Sequence, residues 1–294
     1  MKKVAVIGAG TMGRSIARFF AQQNINVTII ESKASVLQSV QAELSQDIQH
    51  PITYLNTYPT FLDVDIVIEA VPEKLEIKQQ VFKELEKCVQ SSTILCTNTS
   101  GIPITEIAQP LQHPERLVGT HFFTPAAYIP LVEVIKGEKT SDEVAQKVYQ
   151  FLKQSGKEPV LLNKEVPGFI CNRIQHAIVR EALSLLEEGV ASVEDIDKAI
   201  KWSIGLRMVL SGPFEQRDIN GIDIHYEIAS YLYKSLNNST EPSSILKEKV
   251  EQGELGIKTR KGFYDWRNVD LDQVMKEKNN RLKQLIQWLR EENK

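Results

Sequence analysis

His121 stands twelve positions before Glu133, and this pair could carry a proton. Glu133 is the centre of Leu131-Val132-Glu133-Val134-Ile135, an apolar run that reads as a buried strand. A buried carboxylate is costly unless it is paired and hydrogen-bonded. His121 closes another apolar run that begins at Leu117. A carboxylate bonded to one imidazole nitrogen fixes the tautomer and makes the ring a better base. The other nitrogen is then available to a substrate hydroxyl, the task of a general base in alcohol oxidation. A structural His–Glu pair, or a Glu133 facing solvent on an edge strand, would use the same residues without chemistry.

A second constellation lies at the start of the chain. Gly8-Ala9-Gly10-Thr11-Met12-Gly13 follows a short apolar run and opens a helical pattern. Glycines there let the turn close and the backbone approach a pyrophosphate held at a helix N-terminus. Glu31 ends the next apolar run, where the acid that bonds a ribose diol belongs. The expected cofactor is NAD, because that carboxylate repels a 2′-phosphate. Thr97-Asn98-Thr99-Ser100-Gly101 follows another strand pattern, and its hydroxyls could hold a substrate oxygen or merely cap the next helix. Asn172, one turn into a later helix, could reach a cleft or be an ordinary first-turn polar residue.

The elements that must position these groups follow from periodicity. Strand patterns fall at 3–8, 27–30, within 61–71, and at 93–96, 117–122, 131–136 and 158–162. Helical patterns separate the early ones, with Ile16, Phe19 and Phe20 on one face and Leu75, Phe82, Leu85 and Val89 on another. Alternation of this kind predicts a parallel, doubly wound sheet. Beyond Pro167-Gly168 only helices are expected, over about 170–186, 192–203, 213–235, 241–251 and 272–291. The reading is an α/β domain, 1–164, followed by a smaller all-α domain, 165–294, whose charged last helix packs its apolar stripe on a neighbour.

Bulk properties narrow the class. The 294 residues carry a net charge of -3, which gives no basic footprint for nucleic acid. Cys88, Cys96 and Cys171 are scattered, with no metal spacing or disulfide framework, as expected in a reducing cytoplasm. The start MKKVAVIGAG mimics a secretory leader, but its apolar run is short and breaks into glycines. No stretch approaches the roughly 20 apolar residues of a membrane span.

Together VAVIGAGTMG, DIVIEAVPE, TNTS, GTHFFTP, LVEVIKG, PGFICNR and GIKTRKGFYDW resemble the L-3-hydroxyacyl-CoA dehydrogenase family, over nearly the whole chain. The resemblance implies a Rossmann-type NAD domain and a helical domain that mediates homodimerisation. It implies His121 as catalytic base, Glu133 as its partner, and Ser100 and Asn172 at the reacting oxygen of the substrate. Glu31, Glu73, Lys78, Ser100, Thr124 and Lys258 match cofactor contacts beside Gly8, Gly10, Thr11, Met12 and Gly13. Three features depart. Thr124 stands where the family writes Asn, which shortens or removes a contact near nicotinamide and substrate. Between Glu31 and Asp65 the chain is too short for the helical hairpin that helps hold coenzyme A. SIGLRMVLSGPFE brings in Arg207 and looks more like the L-gulonate and L-carnitine dehydrogenases and λ-crystallin, whose substrates carry no thioester.

The expected activity is NAD-dependent oxidation of a short-chain 3-hydroxyacyl-CoA. The nearest rival is the same chemistry on a free 3-hydroxy acid clamped by Arg207. A remoter one is an idle nucleotide-binding or structural protein, against which a base inside an apolar strand argues.

Overall fold

The computed structural model describes residues 1–292, which divide into two compact units. The first comprises Met1–Cys171 together with the segment from Asn280 onward, and the second is Asn172–Asn279. The first unit therefore extends past residue 164 and takes back the end of the chain.

Its sheet has eight strands: β1 Lys3–Ile7, β2 Asn26–Ile30, β3 Ile52–Leu55, β4 Ile66–Glu69, β5 Ile94–Thr97, β6 Leu117–Phe122, β7 Leu131–Ile135 and β8 Glu158–Leu162. They lie in the order β3-β2-β1-β4-β5-β6-β7-β8. The helices α1 Thr11–Gln22, α2 Ala34–Asp47 and α5 Asp142–Gln154 cover one face, and α3 Leu75–Cys88 and α4 Ile104–Ala108 the other. Ile16, Phe19 and Phe20 recur at helical spacing, so α1 presents one apolar edge. Phe20 is fully buried there and stacks on Phe151 of α5, with centroids 5.0 Å from Phe19 and 5.4 Å from Phe151. Ser141 caps α5 by accepting the Val144 N–H at 3.2 Å.

Two features of the sheet differ from the reading of the sequence. The stretch 52–55 forms an edge strand, parallel to β2, although it has neither an apolar run nor clean alternation. Three of its four residues are only half-buried, which is why its pattern is weak. The sheet is also not parallel throughout. β7 runs antiparallel to β6, while β8 is parallel to β7. A connection of residues 123–130 is too short for the crossover a parallel pair needs, so the chain must turn straight back.

The second unit is helical. It holds α6, which runs Cys171–Glu187 from the end of the first unit, then α7 Val193–Ala199, α8 Leu206–Leu210, α9 Pro213–Asn220, α10 Ile222–Leu232 and α11 Ser244–Glu251. A π-helical stretch, Ile200–Gly205, joins α7 to α8, and Gly221 (φ +95°) separates α9 from α10 within the expected single helix. Among its described residues only Leu183 is buried, while Phe214 is 86% and Tyr226 76% exposed. α12, Leu271–Glu292, leads back to the first unit, where Arg290 donates to Gly156 O at 2.8 Å and Lys283 lies 4.2 Å from the Tyr128 ring centre. No helix among the described residues is long and apolar enough to cross a membrane.

Gly13 packs the start of α1 against the turn before it. A Cβ at this position would lie 1.9 Å from Gly8 O, a backbone atom that cannot yield without opening the turn. Gly13→Ala is therefore expected to lose roughly 3 kcal/mol or more of stability in urea unfolding. An unchanged midpoint would contradict this close approach.

Candidate active site

The first part of the site is the turn after β1. Gly8 takes a φ of +92° and donates its N–H to Ile30 O at 2.8 Å, which ties the turn to the end of β2. A Cβ on Gly10 would meet nothing within 4 Å, so open space faces the start of α1, whose Gly10 N-cap supplies no side-chain cap. Uncapped N–H groups at a helix start favour an anion such as a pyrophosphate. Thr11 and Met12 begin the helix beside this space. Glu31 turns back toward it: Oε2 accepts the Ala9 N–H and Oε1 the Lys33 N–H, both at 2.9 Å. A carboxylate held at the end of β2 meets a ribose diol and opposes a 2′-phosphate. These residues fit NAD.

A buried charge network supports the neighbouring loops. Glu69 ends β4 with no exposed surface and accepts from Lys78 Nζ at 2.8 Å, Thr97 Oγ1 at 2.6 Å and the Val71 N–H at 2.7 Å. Lys78, also buried, reaches Glu73 at 3.2 Å. Glu73 in turn accepts from Thr99 Oγ1 at 2.6 Å and from the backbone N–H of Ser100 at 2.8 Å. Partial burial works against the Glu73 charge, but Thr99, Lys78 and Ser100 outweigh it and lower its pKa. Glu73 thus fixes the loop carrying Ser100, which is exposed. Lys78 is engaged inside this network rather than projecting into open space.

The dyad is a cross-strand pair. In the antiparallel register of β6 and β7, His121 lies directly opposite Glu133. Their separation in sequence is thus the length of the hairpin. His121 Nδ1 is 2.7 Å from Glu133 Oε2. Since an ionised carboxylate only accepts, Nδ1 carries the hydrogen, and Nε2 is the nitrogen left for other chemistry. The ring lies against Phe123 and Phe169, with centroids 4.5 and 5.6 Å away. The other oxygen, Oε1, accepts the N–H groups of Ile170 at 2.9 Å and Cys171 at 3.0 Å, at the start of α6. Burial pushes Glu133 up, but the His121 hydrogen bond and the two amides together hold its carboxyl below the usual range. An imidazole oriented in this way can take up and release a proton. The strand itself is held in place by Asn98, whose Oδ1 accepts the Phe122 N–H at 2.9 Å.

Thr124 follows in the β6–β7 connection and donates to Met12 Sδ at 3.1 Å, which links the dyad strand to the dinucleotide turn. Asn172, Arg207 and Lys258 lie in the second unit. Arg207 is exposed and bonds Ser203 O and Oγ one turn earlier in its own helical run, at 3.4 and 3.1 Å. Lys258 is exposed in a short 3₁₀ turn, Ile257–Thr259. Sequence reasoning passed over Glu69 and Asn98. Glu69 carried the same signal as Glu133, a carboxylate in an apolar run, within DIVIEAVPE.

Residues 3–166 match the model of the 3-hydroxyacyl-CoA dehydrogenase NAD-binding domain, and residues 168–266 that of the 3-hydroxyacyl-CoA dehydrogenase C-terminal domain. The chain is 33% identical to 5-formyl-3-hydroxy-2-methylpyridine 4-carboxylate 5-dehydrogenase of Mesorhizobium japonicum, covering 90% of both. A solved structure of a 5-formyl-3-hydroxy-2-methylpyridine 4-carboxylic acid 5-dehydrogenase, an NAD+-dependent dismutase, superposes with a TM-score of 0.93 at 29% identity, covering 99% of both chains. The 3-hydroxyacyl-CoA dehydrogenase of Archaeoglobus fulgidus superposes with a TM-score of 0.74 at 34% identity, covering 98% of this chain and 99% of that one. The chain belongs to the 3-hydroxyacyl-CoA dehydrogenase family and is an NAD-dependent oxidoreductase.

The charge of Glu133 has a signature in acid. Its folded pKa lies below the ordinary 4.5, so the stability that depends on its charge is full above that value and is lost as pH falls through the folded one. Glu133→Gln keeps an acceptor for the two amides but carries no charge. The advantage of the wild type over this variant in urea unfolding is expected to hold steady from about pH 5 to 7 and to shrink below. An advantage that survives undiminished at strongly acidic pH would show that the charge is not what stabilises the dyad.

Proposed function

We propose that this member of the family oxidises the hydroxyl of a short-chain L-3-hydroxyacyl-CoA such as 3-hydroxybutyryl-CoA, with His121 as general base. The observation that carries this reading is the His121–Glu133 contact inside the sheet, beside the dinucleotide turn. NAD supplies, when bound, the acceptor for the hydride that leaves the carbinol carbon. His121 Nε2 takes the hydroxyl proton as the C=O bond forms, and Glu133 stabilises the imidazolium that results. Ser100 and Asn172 hold the reacting oxygen, and Glu31 selects NAD by its bond to the ribose. Glu73, Lys78, Thr124 and Lys258 serve the cofactor, Glu73 and Lys78 by shaping the loop that carries Ser100.

A second reading keeps the chemistry and replaces the thioester with a free carboxylate. Two observations favour it. Between Glu31 and Asp65 the chain builds only α2 and the edge strand β3, with no hairpin to hold coenzyme A. The strong superposition on a dehydrogenase of a free pyridine carboxylate points the same way. Arg207, whose Nε and one terminal nitrogen bond Ser203, would supply a charge-assisted clamp. Free thiols at Cys88, Cys96 and Cys171 support a reducing compartment, the cytoplasm. The apolar surface of the helical unit, with Trp202, Leu210, Phe214 and Tyr226 at 67, 68, 86 and 76% exposure, supports a homodimer formed through that unit.

His121→Gln should cut kcat by about 10²–10⁴-fold with little change in NADH affinity. Near-normal turnover would remove the base. The substrate is decided by kcat/KM for 3-hydroxybutyryl-CoA against free 3-hydroxy acids, in wild type and Arg207→Ala. Oxidation of the free acid alone, abolished in Arg207→Ala, would replace the thioester reading. For the assembly, sedimentation at micromolar concentration is expected to give a dimer, and a monomer would count against it.

A further inference from the structure

We propose that Lys157 is a positioning residue for the dyad: its buried amine clamps the β6–β7 connection and so holds His121 and Glu133 in register. The inference rests on the reading of His121 as base.

Lys157 is 2% exposed, at the turn between α5 and β8. Its Nζ donates to Ala126 O at 2.6 Å and to Ile129 O at 2.8 Å, both within the 123–130 connection. The amine lies 3.9 Å from the centre of the Phe19 ring and 5.8 Å from that of Phe122, the residue after His121. The backbone tightens the same join: Lys157 N–H donates to Leu152 O at 3.0 Å and Glu158 N–H to Pro130 O at 2.9 Å. The Ala127 N–H also donates to Ser15 Oγ of α1 at 2.9 Å. The connection leaves β6 one residue after His121 and enters β7 two residues before Glu133, so its shape sets how the two strands face each other.

The charge of this amine is not explained by pairing. Burial, and then the Arg290 guanidinium of α12, push its pKa down to about 7, and among the described residues no carboxylate pairs with it. Among the described residues, Lys283 and Glu291, also on α12, are the other charged groups lining this corner. An apolar side chain of similar length would fill the space without desolvating an amine. What it would lack is the pair of donors for Ala126 O and Ile129 O. A slip of the connection by a fraction of an ångström would loosen the imidazole–carboxylate contact, and misplacements of about 1 Å can cost about 100-fold in rate.

The test follows the hydrogen-bonded Nδ1 proton of His121 as a downfield ¹H NMR signal, identified by its loss in His121→Gln. In folded Lys157→Met, checked by circular dichroism and thermal melting, this signal should shift upfield or be lost to solvent exchange. NADH affinity should be unchanged, and kcat should fall about tenfold or more without a matching rise in KM. Ser15→Ala, which frees the same connection from α1, should move the signal in the same direction by less. A folded Lys157→Met with the wild-type signal and turnover overturns the clamp. If Lys157→Met does not fold, Ser15→Ala decides, and an unmoved signal there overturns it. Full turnover in His121→Gln would instead sink the general-base reading, while the signal in the Lys157 variant still judges the clamp.

Discussion

A carboxylate with no exposed surface in the middle of a strand has to find its donors inside the protein, and Glu133 finds them on two sides. One oxygen takes the imidazole N–H from the strand opposite, and the other takes two backbone N–H groups at the opening of α6. Removing such a charge from water costs several kcal/mol, which only a complete set of donors offsets. The demand therefore reaches well beyond the dyad. It requires the reversed strand, the short connection before it, and the placement of Ile170 and Cys171 where the chain leaves the sheet. The geometry of the dyad and the local fold satisfy one electrostatic requirement.

This requirement was partly legible in the sequence. A Glu flanked by two apolar residues on each side announces a buried charge, and the run before His121 announces a strand. What periodicity could not give was the direction of β7, because a buried strand reads the same in a parallel or an antiparallel pair. The length of the 123–130 connection held that information. The glycine turn and Glu31 were legible for a similar reason: glycine types and an acid at a strand end are local facts. β3 was not, since a half-buried edge strand gives little apolar signal. The division of 213–232 into α9 and α10 rests on one glycine at positive φ, a conformation that residue type allows but does not demand.

Glu69 and Lys157 mark a subtler limit. Each is a charged residue whose burial is decided by contacts distant in the chain: Glu69 with Thr97, and Lys157 with carbonyls near residue 128. Lys157 sits after a glycine in a turn, the usual place for a solvated lysine, and only the returning hairpin encloses it. Glu69 was no harder to see than Glu133. It was passed over because no histidine stood near it to suggest chemistry, although its network shapes the loop that bears Ser100.

The path of the chain also bears on how separable its parts are. α12 begins within the helical unit and ends on the first, where Arg290 and Lys283 meet Gly156 and Tyr128. The helical unit is thus an insertion, joined to the first at two places rather than one. A single proteolytic nick near residue 171 would leave the pieces connected through α12. A fragment ending at that point would expose the surface that α12 covers, beside Lys157 and the dyad's connection. Inheritance of the nucleotide-binding half by itself, cut from one end of a gene, would leave that surface bare.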